Sequence, residues 1–396
     1  MKVLQINSVY KTGSTGWIVS ALQNLIKDTG NEAFVLYGRG INQRNNEAYK
    51  FTSNLEIYKH VLITRLLDKH GLSSNDDTNF LIEKIREYSP DIIHLHNIHG
   101  YYLNYEMLFE FLVKYNRPVV WTLHDCWCFT GHCAYFTMCN CNKWKIECKD
   151  CVQKKRYPIS WFVDNSQKNY LAKKRAFTSL AKDKLVLVTP SVWLRDLVEQ
   201  SFLKKYRVKV IRNGVNLSDY NVKRERNVSE YRKKIIAVAY PWGERKGLSH
   251  VIEIANKIPD DILFTVVGLT NKQKELFPKK TNLILLNKTN NKSELISLYN
   301  EADVFVNTTL EDNYPTVNLE ALAAGLPVIT YPTGGSAESV NMMGGAVTDS
   351  CSVDDLIRTV NSFKGTVIDN KDFIDEKKVY VEYLNLYDEL NNINKK

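Results

Sequence analysis

The sequence predicts an α/β fold built from two Rossmann-like, doubly wound domains facing a cleft. Three observations carry that prediction. Short β-branched runs alternate with segments of helical period along the whole chain. The length, 396 residues, exceeds what one ordinary hydrophobic core organises. Turns rich in glycine, histidine and charge follow the apolar runs, and ligands bind at such carboxyl strand ends in open α/β sheets.

The strands read in order are KVLQIN, AFVLYG, DIIHLH, PVVWTLH and LVLVTPS, then KVIRNG, IIAVAY, LFTVVG, LILLNK, DVFVNT and PVITY. Segments such as GWIVSALQNLIKDTG and KSELISLYNEA lie between them with helical spacing. This βαβ rhythm implies parallel sheets covered on both faces. The expected organisation is an N-terminal domain over 1–200 with a cysteine-rich insert at 126–158, and a second domain over 201–375. A helix over 376–396 should pack back toward the first domain.

A hydrophobic fraction of 44% and a charged fraction of 24% are those of a globular protein. No stretch approaches the roughly 18 uninterrupted apolar residues of a membrane span, and the first residues turn polar too early for a secretion signal. The chain is therefore expected to be cytoplasmic. The net charge of +9 points to an anionic partner. Between Asn140 and Lys184, twelve Lys and Arg face four Asp and Glu. Either a solvated face or a docking surface would produce that excess.

The turns that follow strands hold the candidate residues. Gly13 and Gly16 flank a turn opening a helix, whose free N–H groups attract phosphate, although neither a dinucleotide fingerprint nor a P-loop is present. His124 and Asp125 end a central strand, where an imidazole would meet a sugar hydroxyl or a phosphate; a core histidine is the alternative. His94, His96 and His99 end another strand without an evident acidic partner. Arg245 and Lys246 stand before Gly247 between a strand and a helix, where a diphosphate would satisfy both charges and the helix N–H groups. Pro315 suits a helix start, so a helix should run from there to Gly325. That places Asp312 in the preceding loop and Glu320 within the helix.

LYNEADVFVNTTLEDNYPTVNLEALAAGLPVITYPTGGSAE resembles the donor-site signature of the retaining GT-B glycosyltransferases of family 4, with its acid, seven residues, Glu spacing met by Asp312 and Glu320. GSTG, TLHD, TPS, RNGV, ERKG and GGSAE occur in the family's order, so the resemblance spans nearly the whole chain. It implies a nucleotide-diphosphate sugar donor, a UDP-sugar, bound by Glu320 at the ribose and by Asp312, Pro315 and Thr316 at the sugar. Lys246 and Arg245 would neutralise the leaving diphosphate, Gly16 would approach it, and His124 would contact the sugar near the reacting carbon. Asn213 and Gly214 match the family's interdomain turn. Two departures stand out: Asp312 replaces the usual Glu with Glu311 beside it, leaving the acid's register open, and Pro241 falls where an Arg is usual. With no D-x-D present, fixed cations rather than a metal are expected to stabilise the leaving group, so no cofactor is required for catalysis.

Seven of the eight cysteines fall between Cys126 and Cys151. Cys133, Cys139, Cys148 and Cys151 are the expected ligands of a structural zinc, the alternative being reduced thiols. The basic region beyond, with Trp161, Phe162 and Tyr170, suits peripheral docking on the anionic inner face of the cytoplasmic membrane. A lipid-diphosphate-linked glycan is then the expected acceptor, in the biosynthesis of a surface polysaccharide such as O-antigen or capsule. A GT-B-like sugar-nucleotide epimerase or a phosphorylase is the alternative enzyme. Nucleic-acid binding ranks low, since no recognition motif is present.

Overall fold

The structure is a computed structural model that describes residues 1–41, 47–220, 230–365, 367 and 369–394. It divides into two compact units, Met1–Arg212 with Tyr380–Lys396 and Asn213–Val379.

The first unit holds β1 (Lys2–Val9), β2 (Glu32–Arg39), β3 (Ala48–Lys50), β4 (Ile92–Leu95), β5 (Val119–Thr122), β6 (Leu185–Thr189) and β7 (Arg207–Val210). Their order is β3-β2-β1-β4-β5-β6-β7, every pair parallel. β4, β5 and β6 are buried at every residue, as the near-continuous apolar runs of a sheet covered on both faces require. The Gly13–Asp28 helix follows β1 and returns the chain to β2. On one face of the sheet Phe109, Trp121, Trp127 and Phe177 form a contiguous aromatic cluster.

The second unit holds β8 (Lys233–Val238), β9 (Ile262–Val267), β10 (Leu283–Leu286), β11 (Val304–Asn307), β12 (Val328–Thr330) and β13 (Ala346–Val347), in the parallel order β10-β9-β8-β11-β12-β13. In both sheets the order reverses beside the first strand, between β1 and β4 and between β8 and β11. Those are the switch points where doubly wound folds bind ligands.

All eleven expected strands are present, and β3 and β13 were not anticipated. Each of those two has only two or three residues, too short to show a period. The expected boundary at residue 200 falls too early, because β7 pairs with β6 and so belongs to the first sheet. At the other end, the Val381–Asn394 helix is tied to that sheet: Tyr387 OH lies 2.6 Å from His94 Nδ1 and Tyr383 OH 3.0 Å from Thr122 Oγ1. Among the described residues no helix is long and apolar enough to cross a membrane.

Candidate active site

Two loops at the carboxyl end of the second sheet are stitched together by backbone. After β8, residues Glu244–Lys246 make one 3-10 turn and Gly247 begins the next helix at φ +77°. A Cβ at Gly247 would lie 2.2 Å from the Thr308 carbonyl oxygen, so only glycine permits the approach. Across the gap Leu310 N–H donates to the Arg245 carbonyl at 2.8 Å, and the Thr308 hydroxyl donates to the Lys246 carbonyl at 3.0 Å. The cation turn after β8 is thereby fixed to the acid loop after β11.

That contact places unlike charges together. Lys246 Nζ sits 2.5 Å from Asp312 Oδ2, and Arg245 reaches the same oxygen at 3.5 Å while donating to the Glu311 carbonyl at 2.6 Å. Burial would raise the Asp312 pKa, but Lys246 and Arg245 overcome it and hold the carboxyl below its usual range. Asp312 is therefore the acid that meets the cations, while Glu311 presents its backbone oxygen to Arg245.

The helix spans Thr316–Ala323 with Pro315 as its N-cap, and Gly325 lies beyond its end at φ +75°, much as the proline and glycine anticipated. As at every helix start, the first N–H groups have no intrahelical acceptor, and the dipole there favours negative charge. Glu320 is largely buried one turn deeper. Its burial pushes its pKa up to about 7, a rise partly offset by Lys292 and by Tyr299, whose hydroxyl is 3.5 Å away. A residue that pattern reading passed over locks this helix in place: the Asn318 side-chain oxygen accepts from Asn307 at 2.7 Å, and its amide donates to the Ser336 carbonyl at 3.4 Å. A polar residue on the inward face of an apolar helix was the available signal.

The loop after β12 closes on the same acid. Gly335 N–H donates to the Asp312 carbonyl at 3.3 Å, and a Cβ at Gly334 would fall 1.8 Å from that oxygen. The Ser336–Met343 helix follows, with Glu338 in its first turn. Asn213 donates to the Tyr314 carbonyl at 3.3 Å, and Gly214 packs against Glu376 where a side chain would collide.

Gly16 and His124 belong to the first unit. Gly16 lies inside the first turn of the Gly13–Asp28 helix rather than ahead of it, and a Cβ there would press within 3.2 Å of the Lys11 nitrogen. His124 follows β5, its Nε2 3.2 Å from His96 Nδ1, with the rings stacked at 5.4 Å. Burial lowers its pKa to about 4, against the pull of Asp125, so the imidazole is neutral at physiological pH. His94 and His96 are fully buried and hydrogen-bonded, which makes them core residues. His99 does have an acidic partner, Asp125, at 2.9 Å, and Tyr157 OH at 2.9 Å on its other nitrogen. The sequence hid that pairing because it joins the ends of two strands.

The expected zinc quartet does not assemble. Cys133, Cys148 and Cys151 line one small pocket, but the fourth cysteine lining it is Cys141. Cys139 turns away to the Phe136 carbonyl at 3.2 Å and to the Gln153 amide at 3.2 Å. Among the described residues no three His, Cys, Asp or Glu side chains are arranged to hold a metal ion. Packing contributes to holding the insert: Trp144 is buried against Phe129 and Phe136, and buried Lys173 donates to the carbonyls of Trp127 and Thr130. Tyr170, expected on a docking surface, is likewise buried.

Two doubly wound parallel sheets, with a cation turn and an acid loop joined at the switch point of the second, define an α/β protein of the ligand-binding, doubly wound class. Comparison with known families specifies it: residues 219–378 match the Glycosyl transferases group 1 profile and residues 23–219 match Glycosyltransferase Family 4. The chain belongs to the group 1, family 4 glycosyltransferases and has their GT-B fold. It is 24% identical over 369 residues to the putative colanic acid biosynthesis glycosyl transferase WcaC of Escherichia coli, covering 87% of this chain and 86% of that protein. Among solved structures, sucrose-phosphate synthase of Thermosynechococcus elongatus aligns with a TM-score of 0.65 at 12% identity over 98% of both chains. Anabaena HepE in complex with UDP aligns with a TM-score of 0.57 at 14% identity, covering 100% of this chain and 98% of that one.

Proposed function

We propose that this glycosyltransferase moves one sugar from a UDP-sugar to a lipid-diphosphate-linked glycan, with retention, during synthesis of a surface polysaccharide. The observation that carries the reading is the Lys246–Asp312 ion pair at the β8/β11 switch point, with Glu320 one turn into the helix that follows. A donor diphosphate would draw Lys246 and Arg245 from Asp312 and leave its carboxylate for the sugar hydroxyls. Glu320 would accept hydrogen bonds from the ribose, and the Pro315–Thr316 backbone would meet anionic oxygen. For His124 the proposed role is contact with the donor sugar, and for Gly16 close approach to the diphosphate.

Chemically, the bond from the anomeric carbon to the phosphate oxygen breaks and the bond to the acceptor hydroxyl forms on the same face. The acceptor's proton passes to the departing phosphate oxygen. Lys246 and Arg245 stabilise charge that grows on that phosphate as the transition state is reached, which is where fixed cations are most effective. The relative's role in colanic acid synthesis and the UDP of the Anabaena complex support the polysaccharide setting and the choice of base. The acceptor would be met on the cytoplasmic face of the membrane.

Incubation with a panel of UDP-sugars, with and without an undecaprenyl-diphosphate-linked glycan, tests the reading by mass spectrometry. The expected result is an acceptor heavier by one sugar and release of UDP. Isomerised sugar nucleotide without acceptor, or phosphate-dependent release of a sugar phosphate, would replace it with the epimerase or the phosphorylase.

A further inference from the structure

The Asn54–Leu67 helix turns an apolar stripe to solvent, the reverse of what a surface helix needs. Its inner face buries His60 and Thr64. On the outer face Leu55, Tyr58, Leu62 and Leu66 are 65%, 72%, 51% and 37% exposed. Spacings of three, four and four residues align them in one stripe. Lys59 and Arg65 flank it, one on each side. At its carboxyl end the stripe is continued from elsewhere in the chain: Trp161 N–H donates to the Arg65 carbonyl at 2.7 Å, and the Arg65 guanidinium lies over the Trp161 ring at 5.3 Å. Phe162, 71% exposed, stands beside Trp161. Lys154 donates to the Phe162 carbonyl at 3.3 Å, and Lys155 and Arg156 are exposed next to it.

We infer that this stripe, with Trp161 and Phe162, is the face by which the chain docks on an anionic lipid bilayer. Exposed leucines with an interfacial tryptophan between cations match the composition of segments that lie in a headgroup layer, the apolar side chains below and the cations at the lipid phosphates. Charge complementarity selects the occupant. An anionic surface neutralises the cations gathered at the Trp161 end of the stripe, which two copies joined end to like end would bring together. On the Lys59 side Glu56 is paired with Lys59 at 2.5 Å and Asp76 and Asp77 stand close by, so the positive charge that meets a lipid phosphate is at the Trp161 end, on Arg65, Lys154, Lys155 and Arg156. The purpose of such docking, access to a lipid-borne acceptor, rests on the function proposed above; the binding itself does not.

The test is co-sedimentation of the full chain with phosphatidylcholine vesicles made with and without phosphatidylglycerol. It compares the wild type with Tyr58→Ser/Leu62→Ser, Trp161→Ser/Phe162→Ser and Arg65→Glu, with UDP binding as the control for folding. The expected result is partition onto the anionic vesicles, about tenfold or more weaker in each variant and weakened by salt in the wild type, at unchanged UDP affinity. Wild type that ignores anionic vesicles, or variants that partition as it does, would overturn the inference. So would a concentration-dependent dimer abolished by the same substitutions, which would make the stripe an interface between copies. Wild type that docks yet transfers nothing to the lipid-linked glycan would count against the proposed function and leave the docking face standing.

Discussion

Glu320 is the residue whose environment makes the sharpest demand. A carboxyl pushed up to about 7 by burial is half protonated in the empty protein at neutral pH, yet its proposed work is to accept hydrogen bonds from ribose hydroxyls. Binding then favours the ionised form, so affinity for UDP-glucose should fall as pH drops through 7, by up to about tenfold per pH unit below it. UDP-glucose is the appropriate probe because it lacks the terminal phosphate that titrates in this range. In Glu320→Gln the affinity should be lower and flat with pH, and calorimetric titrations between mildly acidic and mildly basic buffers would decide. A wild type with pH-independent affinity would remove Glu320 from the ribose. The same shift has a sign for stability: an acid whose folded pKa is raised contributes stability at low pH that is lost as pH climbs from its unfolded value through 7. The acid register was readable from sequence only as far as two adjacent candidates. Spacing favoured Asp312, and its contact with Lys246, which is what sets its surroundings apart from those of Glu311, joins residues 66 apart in the chain and so leaves no local pattern.

At the scale of elements, the acid loop holds its shape through glycines on its neighbours. Gly334, at φ +53° against the Asp312 carbonyl, and Gly325, at φ +75° with nothing within 4 Å of a built Cβ, separate two effects. Gly325→Ala pays only for the left-handed backbone, about 1 kcal/mol. Gly334→Ala must also move the loop that carries Asp312, and should cost about 2 to 3 kcal/mol with loss of UDP-glucose affinity. Urea midpoints and calorimetry on the two variants would check this, and equal donor affinity in both would show that the glycine loop does not position the acid. Strands were the most legible elements, because long apolar runs buried on both faces leave an unbroken signal. Helix ends were nearly as legible where Pro315 and Gly325 mark them. The cysteine insert was not, because its fold depends on Trp144, Lys173 and a choice between Cys139 and Cys141, none of which has a period to read.

For the whole molecule, the alternation of strands and helices was sufficient to indicate two doubly wound sheets, and the motif order to indicate the family. What the alternation could not place was the end of the first sheet, where β7 stays paired with β6 beyond residue 200; the last helix, which was expected to pack back toward the first domain, is pinned to that sheet by Tyr383 and Tyr387. The net charge of +9 likewise named an anionic partner without locating it. The structure offers two kinds of cationic feature, the fixed pair Arg245 and Lys246 at a switch point and the cations beside an exposed apolar stripe. The role of the first of them in holding the donor diphosphate is tested by titrating UDP and uridine into the wild type and Lys246→Ala. The variant should lose about ten- to a hundredfold in UDP affinity, the worth of a charge-assisted contact to the diphosphate, while uridine binding is unchanged. UDP bound as tightly as before, or UDP and uridine weakened alike, would contradict it.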